Sequence, residues 1–533
     1  MSQSSKLDIS NSWEEIFAGE NKAALEAILP AYLLSCRWFG GKARTIRSAE
    51  IAEAFPFSHG AFITTIQVRY AEGEPQTYVL PLTFASGERS AKVQRDTPQA
   101  VVAQLPGSVL YDAVYDKGFA SSLLEAIRED SQFKSSSGEI RAWPTTEFQE
   151  LAEPSQSPLE PRIMRAEQSN TSVMYGGSFI LKLFRRLEEG TSPDLEIGRF
   201  LTEKGYSHTP PLAGAVEYYP HTGEPLTLAI LQGFVPNQGD AWQYTLDALG
   251  DYFTRATEMR LDGREISPRN QHLLNIISED IPPHIRQATG PFMEAVGLLG
   301  RRTAEMHIAL ASDPDDPAFA PEPFTEGYQA SIYEAMRGLT GQAMSLLRNR
   351  MDSLPDATER EARNTLEREG DVLARFQPLV EHRLNAMRTR CHGDYHLGQV
   401  LYTGSDFAII DFEGEPVRSL AERRRKHSPL KDVAGMLRSF HYAAYAALFS
   451  ELEKGADAQR HEPLASAWYL WVSAAFLREY LAVARQGSFL PADEEDLLVL
   501  LDAHILEKAV YELIYELNNR PDWVRIPLQA LRG

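Results

Sequence analysis

Residues 391–401 read CHGDYHLGQVL, and residues 408–416 read AIIDFEGEP. Asp394 stands five positions before an amide, Gln399, and Asp411 directly follows an apolar strand-like run, Phe407–Ile410. An isolated HGD reads equally well as a turn whose aspartate caps a neighbour. The second aspartate, placed after a strand, tips the reading toward chemistry.

Phosphoryl transfer from ATP needs these parts. One carboxylate takes the proton of the attacking hydroxyl, and two oxygen ligands hold Mg²⁺. The pattern H-x-D-x-x-x-x-N followed by D-F-x is reproduced here with Gln in place of Asn. Asp394 is therefore the expected base, and Gln399 and Asp411 the expected metal ligands. Glu413 stands equally as a metal-shell residue or as a turn residue.

Such a site also needs a strand lysine and a helix carboxylate. Lys182 lies in SFILKLFR (178–185), where a buried ammonium would be costly without a partner. The alternative is an edge-strand lysine reaching solvent. Glu196, on the following helix, is the expected partner. That helix is well punctuated, with Ser192 at its N-cap, Pro193 at N1 and Gly205 after its end. Gln168, Ser169, Asn170 and Thr171 replace a Gly-rich loop and could cradle phosphates as a nest. Backbone groups near Gln232, Phe234 and Val235 are expected against the adenine.

Organisation follows from the same patterns. Residues 1–95 read as a small α+β cap, with a helix over Ala23–Leu34 that Pro30 should kink or break. Strands are expected over Ile51–Phe57, Ala61–Tyr70 and Gln76–Phe84. Residues 96–150 read as mainly helical, and PSQSP (154–158) as a break. Residues 96–235 form an intermediate, nucleotide-facing β-rich lobe with a hairpin at Gly176-Gly177. After PNQGD (236–240) the chain is helical to its end, apart from two short strands between His392 and Asp411. The expected class is α+β, a bilobal eukaryotic-protein-kinase-like fold with an N-terminal cap and a large helical lobe over 236–533.

The last helix carries Glu507, Tyr511 and Tyr515 at i, i+4, i+8, beside an apolar stripe of Leu506, Val510, Leu513 and Leu517. These tyrosines either pack the helix or present rings and hydroxyls to a sugar. His392, Glu507, Tyr511 and Tyr515 are the expected acceptor-binding residues. A basic run, RRRK (423–426), reads as a solvated face or as an offset to phosphate charge. A helix restarts at Ser428-Pro429.

Taken together, LPAYLLSCRWFGGKAR, EQSNTSVMYGGSFILKLFRRLEEGTSPDLEIGRFL, CHGDYHLGQVL, IIDFEGEP, SPLKDVAGMLRSFHYAA and LEKAVYELIYELNNRPDWVRIPL resemble the maltokinase family, which also occurs fused behind trehalose synthases. The HGD…DFE pair by itself marks only the wider aminoglycoside-phosphotransferase-like superfamily. The resemblance implies ATP-dependent phosphorylation of maltose at its anomeric hydroxyl with Mg²⁺, feeding α-glucan synthesis. It also implies a possible association with trehalose synthase. It further places the sugar site in the helical lobe, in keeping with Glu507, Tyr511 and Tyr515. RWFGGKAR (37–44) receives no chemistry.

Composition narrows the partners. The 533 residues hold 53 Lys+Arg against 74 Asp+Glu, a formal charge of −21. A polyanionic partner, whether nucleic acid or anionic membrane, is not expected. Two cysteines and an N-terminus without a signal-peptide pattern fit a cytoplasmic protein. LASAWYLWVSAAFL (464–477) is too short to span a bilayer and reads as a buried helix. The readings that remain beside a maltose kinase are a kinase of the same fold acting on glucosamine or an aminoglycoside, and a non-catalytic partner of trehalose synthase. A protein kinase is disfavoured because only Gly414–His427 separates DFE from the next helix.

Overall fold

Alternating apolar residues build two antiparallel sheets in the first part of the chain. The computed structural model describes residues 13–135, 137–152, 159–164, 169–263 and 273–532. The first twelve residues, PSQSP and Gln168 lie outside them. The chain divides into two compact units. The first runs to Thr202 and adds Pro210–Phe234, and the second comprises Glu203–Thr209 and Val235 onward.

In the first unit, a helix over Gly19–Ser35 precedes β1 (Ile46–Pro56), β2 (Phe62–Tyr70), β3 (Gln76–Ser86), β4 (Val101–Leu105) and β5 (Ser108–Asp112), ordered β1-β2-β3-β5-β4. Pro30 lies inside the helix without ending it. Leu25, Leu29 and Leu33 are fully buried on one face, and that packing outweighs the lost backbone bond. Residues 96–150 correct the helical expectation, since β4 and β5 form a hairpin there. Pro106-Gly107 supplies the turn, with Gly107 at φ 72, and the flanking Val, Leu and Tyr residues favour strands. Among the described residues of that span, the α-helices are Lys117–Arg128 and the start of Glu147–Ala152, besides short turns. The first sheet therefore continues past the boundary expected at residue 95.

The second sheet contains β6 (Gln132–Lys134), β7 (Gly138–Pro144), β8 (Pro161–Ile163), β9 (Asn170–Tyr175), β10 (Phe179–Phe184), β12 (Leu212–Pro220) and β13 (Leu226–Gly233). Its order is β6-β7-β12-β13-β10-β9-β8, and β11 (Arg186–Leu187) pairs instead with β3 of the first sheet. Arg185 lies at that crossing. Its guanidinium donates to Asp112 Oδ2 at 2.6 Å and to Thr171 Oγ1 at 2.8 Å, and both ion-pair partners are fully buried. Trp38, from the RWFGGKAR motif, places its ring 4.7 Å from the same guanidinium.

The second unit is helical, with long helices over Ala241–Glu258, Phe292–Leu310, Glu326–Arg350, Leu430–Glu453, Ala458–Ala484 and Glu494–Asn519. Asp240, the last residue of PNQGD, caps the first of these through Gln243 N–H. The LASAWYLWVSAAFL segment is buried along Ala458–Ala484, with Trp468 fully enclosed. No helix among the described residues is long and apolar enough to cross a membrane. A short hairpin, β16 (Val400–Tyr402) with β17 (Phe407–Ile409), carries the second aspartate out of its end. The small pair β14 (Glu322–Pro323) and β15 (Met387–Arg388) completes the unit.

Removing one partner of a buried ion pair strands the other charge. Asp112→Ala should therefore lower stability by about 3–5 kcal/mol, read as the urea midpoint of the full chain. Replacing both partners by apolar residues should recover much of the loss. An unchanged midpoint for Asp112→Ala would show that the pair contributes nothing.

Candidate functional site

The HGD segment is held from below by an acid that the motif reading passed over. Asp432, near the start of helix Leu430–Glu453, accepts His392 N–H at 2.7 Å and Gly393 N–H at 3.0 Å. His307 Nε2 lies 3.1 Å from the same carboxylate, and His307 Nδ1 faces the Tyr480 hydroxyl at 3.0 Å. Burial works to raise the Asp432 carboxyl, but the hydrogen bonds and the charges of His307 and His392 hold it below its ordinary value. Gly435, one turn later, lets the loop sit directly on the helix, because a Cβ there would lie 2.5 Å from the Tyr395 carbonyl oxygen. The spacing DVAG thus carried a signal, an acid and a glycine on one face of a buried helix.

Asp394 emerges from this loop at the junction of two neighbouring cavities. Glu415, Lys431, Glu507 and Lys508 line the smaller one with it. Trp242, Tyr442, Tyr511, Tyr515 and Trp523 line the larger, a space of about 1060 Å³ including its open mouth. Tyr511 and Lys508 face both.

Lys508 was not foreseen. Its Nζ lies 3.5 Å from Asp394 Oδ1 and 3.5 Å from Glu415 Oε1. Burial disfavours its charged form, yet Asp394 and Glu415 outweigh that and raise its pKa. The local clue was its place between Glu507 and Tyr511 on the same helical segment. Glu507 itself accepts from His504 Nδ1 at 3.0 Å. Burial pushes the Glu507 carboxyl up, while the His504 bond and the Lys431 charge bring it down to about 2.

Asp411 sits in the left-handed region at φ 67, unusual for a residue other than glycine and a mark of a constrained site. Gln399 Nε2 donates to its Oδ2 at 2.8 Å. The carboxylates of Asp411 and Glu413 each offer an oxygen within 4.8 Å of the other. The two carboxylates are hard oxygen donors of the kind Mg²⁺ takes, so they fit that ion, whereas Gln399 here turns its amide N–H toward Asp411 and would have to turn its oxygen to join them.

His392 corrects an expectation. Its residue is 1% exposed, so it is not placed to touch an acceptor. Its Nε2 lies 2.9 Å from the Ile410 carbonyl, and its ring packs on Phe412 and Tyr395. It braces the loop of Asp394 against the strand of Asp411.

In the first unit, Lys182 lies on β10, paired with Ser172 on one side and Ile230 on the other, so an edge-strand reading is excluded. Its Nζ contacts Asp194 Oδ2 at 2.8 Å, and Asp194 is 1% exposed. Asp194 is thus a partner that the reading of Glu196 overlooked. It lies one residue past Pro193, and its N–H meets Ser192 Oγ at 3.3 Å, as the expected cap requires. Ser169 is exposed and Asn170 buried, whereas the Thr171 hydroxyl accepts from Arg185. Thr171 is therefore a strut of the turn and not an open phosphate ligand. The Phe234 N–H is likewise engaged, by the Ser178 carbonyl at 2.7 Å, so it does not stand ready for an adenine. Gln232 pairs across the sheet with Ile180 and Leu212, and the Val235 carbonyl accepts from Asn237.

Residues 32–116 match the family model of the maltokinase N-terminal cap domain. That segment of the chain is thus similar to a maltokinase N-terminal cap domain. The match spans RWFGGKAR and strands β1 to β5, so this cap extends through the hairpin beyond residue 95. Relatives of the chain include a glucosamine kinase of Mycolicibacterium smegmatis, 27% identical over 72% of this chain and 82% of that one. Another is a glucosamine kinase of Streptacidiphilus jiangxiensis, 25% identical over 68% of this chain and 70% of its own. A solved glucosamine kinase in complex with glucosamine, ADP and inorganic phosphate superposes with a TM-score of 0.62 at 21% identity, covering 98% of this chain and 99% of that one. At that identity the likeness establishes the fold alone.

The depressed carboxyl of Glu507 links stability to pH. Its contribution is present above the ordinary value of 4.5 and is lost as pH falls toward about 2. Glu507→Gln should be less stable than the wild type at pH 7, on the order of 2 kcal/mol. That difference should hold down to pH 5 and shrink as urea midpoints are taken at pH 4 and then pH 3. A difference constant across that window would show that Glu507 is not held ionised by its neighbours.

Proposed function

We propose that the protein is an ATP-dependent sugar kinase that phosphorylates maltose at its anomeric hydroxyl, giving maltose 1-phosphate and ADP. The observation that carries the reading is the position of Asp394, in the lining of a cavity that Tyr511, Tyr515, Trp242 and Trp523 also line. Aromatic rings offer flat apolar faces to the C–H side of pyranose rings, and the space suits more than one ring. The maltokinase cap match and the kinase names of the relatives support the same class.

In this reading Asp394 orients the acceptor hydroxyl and takes its proton as the phosphoryl group transfers. Lys182, held by Asp194, takes the ATP phosphates, with Ser169 and Asn170 beside it and Glu196 on the same helix. Gln232 and Val235 lie toward the adenine. Gln399, Asp411 and Glu413 would hold Mg²⁺, which neutralises charge on the phosphate oxygens. Glu507, Tyr511 and Tyr515 contact the sugar. A cytoplasmic role in α-glucan synthesis, with trehalose synthase as a partner, belongs to the same proposal.

A second reading, glucosamine as acceptor, is favoured by the names of the relatives and by the carboxylates that line the cavities. One assay separates the two. The chain is incubated with ATP, Mg²⁺ and maltose, glucose, glucosamine or kanamycin, and ADP release is followed. Maltose should give the highest rate. No ADP with maltose but turnover of glucosamine would establish the second reading instead. Asp394→Asn should lower the rate by roughly 10²–10⁴-fold with an unchanged melting curve, and a wild-type rate would remove Asp394 from the role of base.

A further inference from the structure

The carboxylates lining the two cavities face cations of the protein itself. Glu512 meets Arg438 at 2.7 Å, and Glu516 meets Arg520 at 2.7 Å. Glu415 meets Arg418 and Lys508. Glu507 takes the His504 hydrogen bond and feels the Lys431 charge. An acidic lining counted by residue type is thus largely neutralised when counted by contact.

Lys508 differs from the others in where its head group sits. It lies against Asp394, the base in the proposed function, and against Glu415 at once. The ammonium of an amino sugar arriving beside Asp394 would need a carboxylate to pair with. Lys508 already holds Asp394 itself and Glu415, and its own charge repels a second cation in a partly enclosed site. A sugar hydroxyl meets no such conflict. It can donate to Asp394 and accept from one of the three N–H groups of Lys508. The side chain is steadied by Tyr511, whose ring centroid lies 5.0 Å from Nζ.

We propose that Lys508 is the residue that restricts the acceptor to neutral sugars, by occupying the place beside Asp394 that an acceptor ammonium would take. This rests on the sugar-kinase reading above. Lys508 acts by charge and position, and Glu415 is its second anchor.

The test compares glucose with glucosamine, which differ by one amino group, using the full chain with ATP and Mg²⁺. The wild type should favour glucose in kcat/KM. In Lys508→Met the ratio of glucosamine to glucose should rise at least tenfold, while Lys508→Arg, which keeps the charge, should retain the wild-type ratio. An unchanged ratio in Lys508→Met overturns the proposal, and so does an equal rise in Lys508→Arg. A measurement on the wild type alone guards against a variant that fails to fold. Against maltose, glucosamine should compete at least tenfold more weakly than glucose, and equal or tighter competition overturns the proposal. A wild type that releases ADP with no sugar brings down the kinase reading itself. One that turns over glucosamine in preference to glucose leaves that reading standing and removes only the role of Lys508.

Discussion

Asp432 carries a negative charge in a place closed to water, and the geometry around Asp394 depends on it. An ionised carboxylate is tolerated there because its oxygens are met on several sides, by two loop N–H groups and by His307. It also lies in the first turn of its helix, where the aligned peptide dipoles favour an anion. The loop before Asp394 is thereby fixed by backbone bonds to a rigid helix, and Asp394 inherits that rigidity. His392 extends the bracing to Ile410, the residue before Asp411. Base and metal-ligand candidates are thus joined through one buried ring, so a shift at either end is felt at the other.

Much of this was legible in the chain. The spacing from Gln399 to Asp411 named two residues that the hairpin brings together, since a short hairpin leaves little freedom in how its ends meet. Lys182 was legible because a lone cation in FILKLF has to be explained by a partner. The cap and start of the next helix were legible from Ser192-Pro193, whose preferences are local. What escaped was non-local. Asp432 lies 40 positions from the N–H it accepts, and Lys508 lies 114 positions from Asp394. Neither pairing leaves a trace within a window of a few residues. The helical reading of residues 96–150 failed for a different reason. Its β hairpin is short, and it gains stability from the pairing of β5 with β3, which composition within the window does not show.

Net charge is a second case in which local and global descriptions part. The total of −21 describes a solvated surface. Within the cavities the same acidic residues are matched one by one by Arg418, Arg438, Arg520 and Lys508. In the proposed sugar kinase those pairings would decide which acceptor is welcome, because a neutralised carboxylate offers a hydroxyl a hydrogen bond but offers an ammonium little net attraction.

The same distinction between local and distant causes gives RWFGGKAR a physical role. Trp38 lies over the Arg185 guanidinium, and Asp112, at the end of β5, neutralises it. Arg185 in turn fixes the Thr171 hydroxyl at the start of β9, next to Asn170 and Ser169. Backbone pairing reinforces the join, since Val79 N–H bonds to the Arg185 carbonyl and Arg186 pairs with Tyr78. The capping sheet is therefore continuous in hydrogen bonds and charge with the turn that precedes the Lys182 strand. A cap joined in this way does more than cover apolar surface, because the conformation of that polar turn is partly set by residues more than 130 positions earlier in the chain.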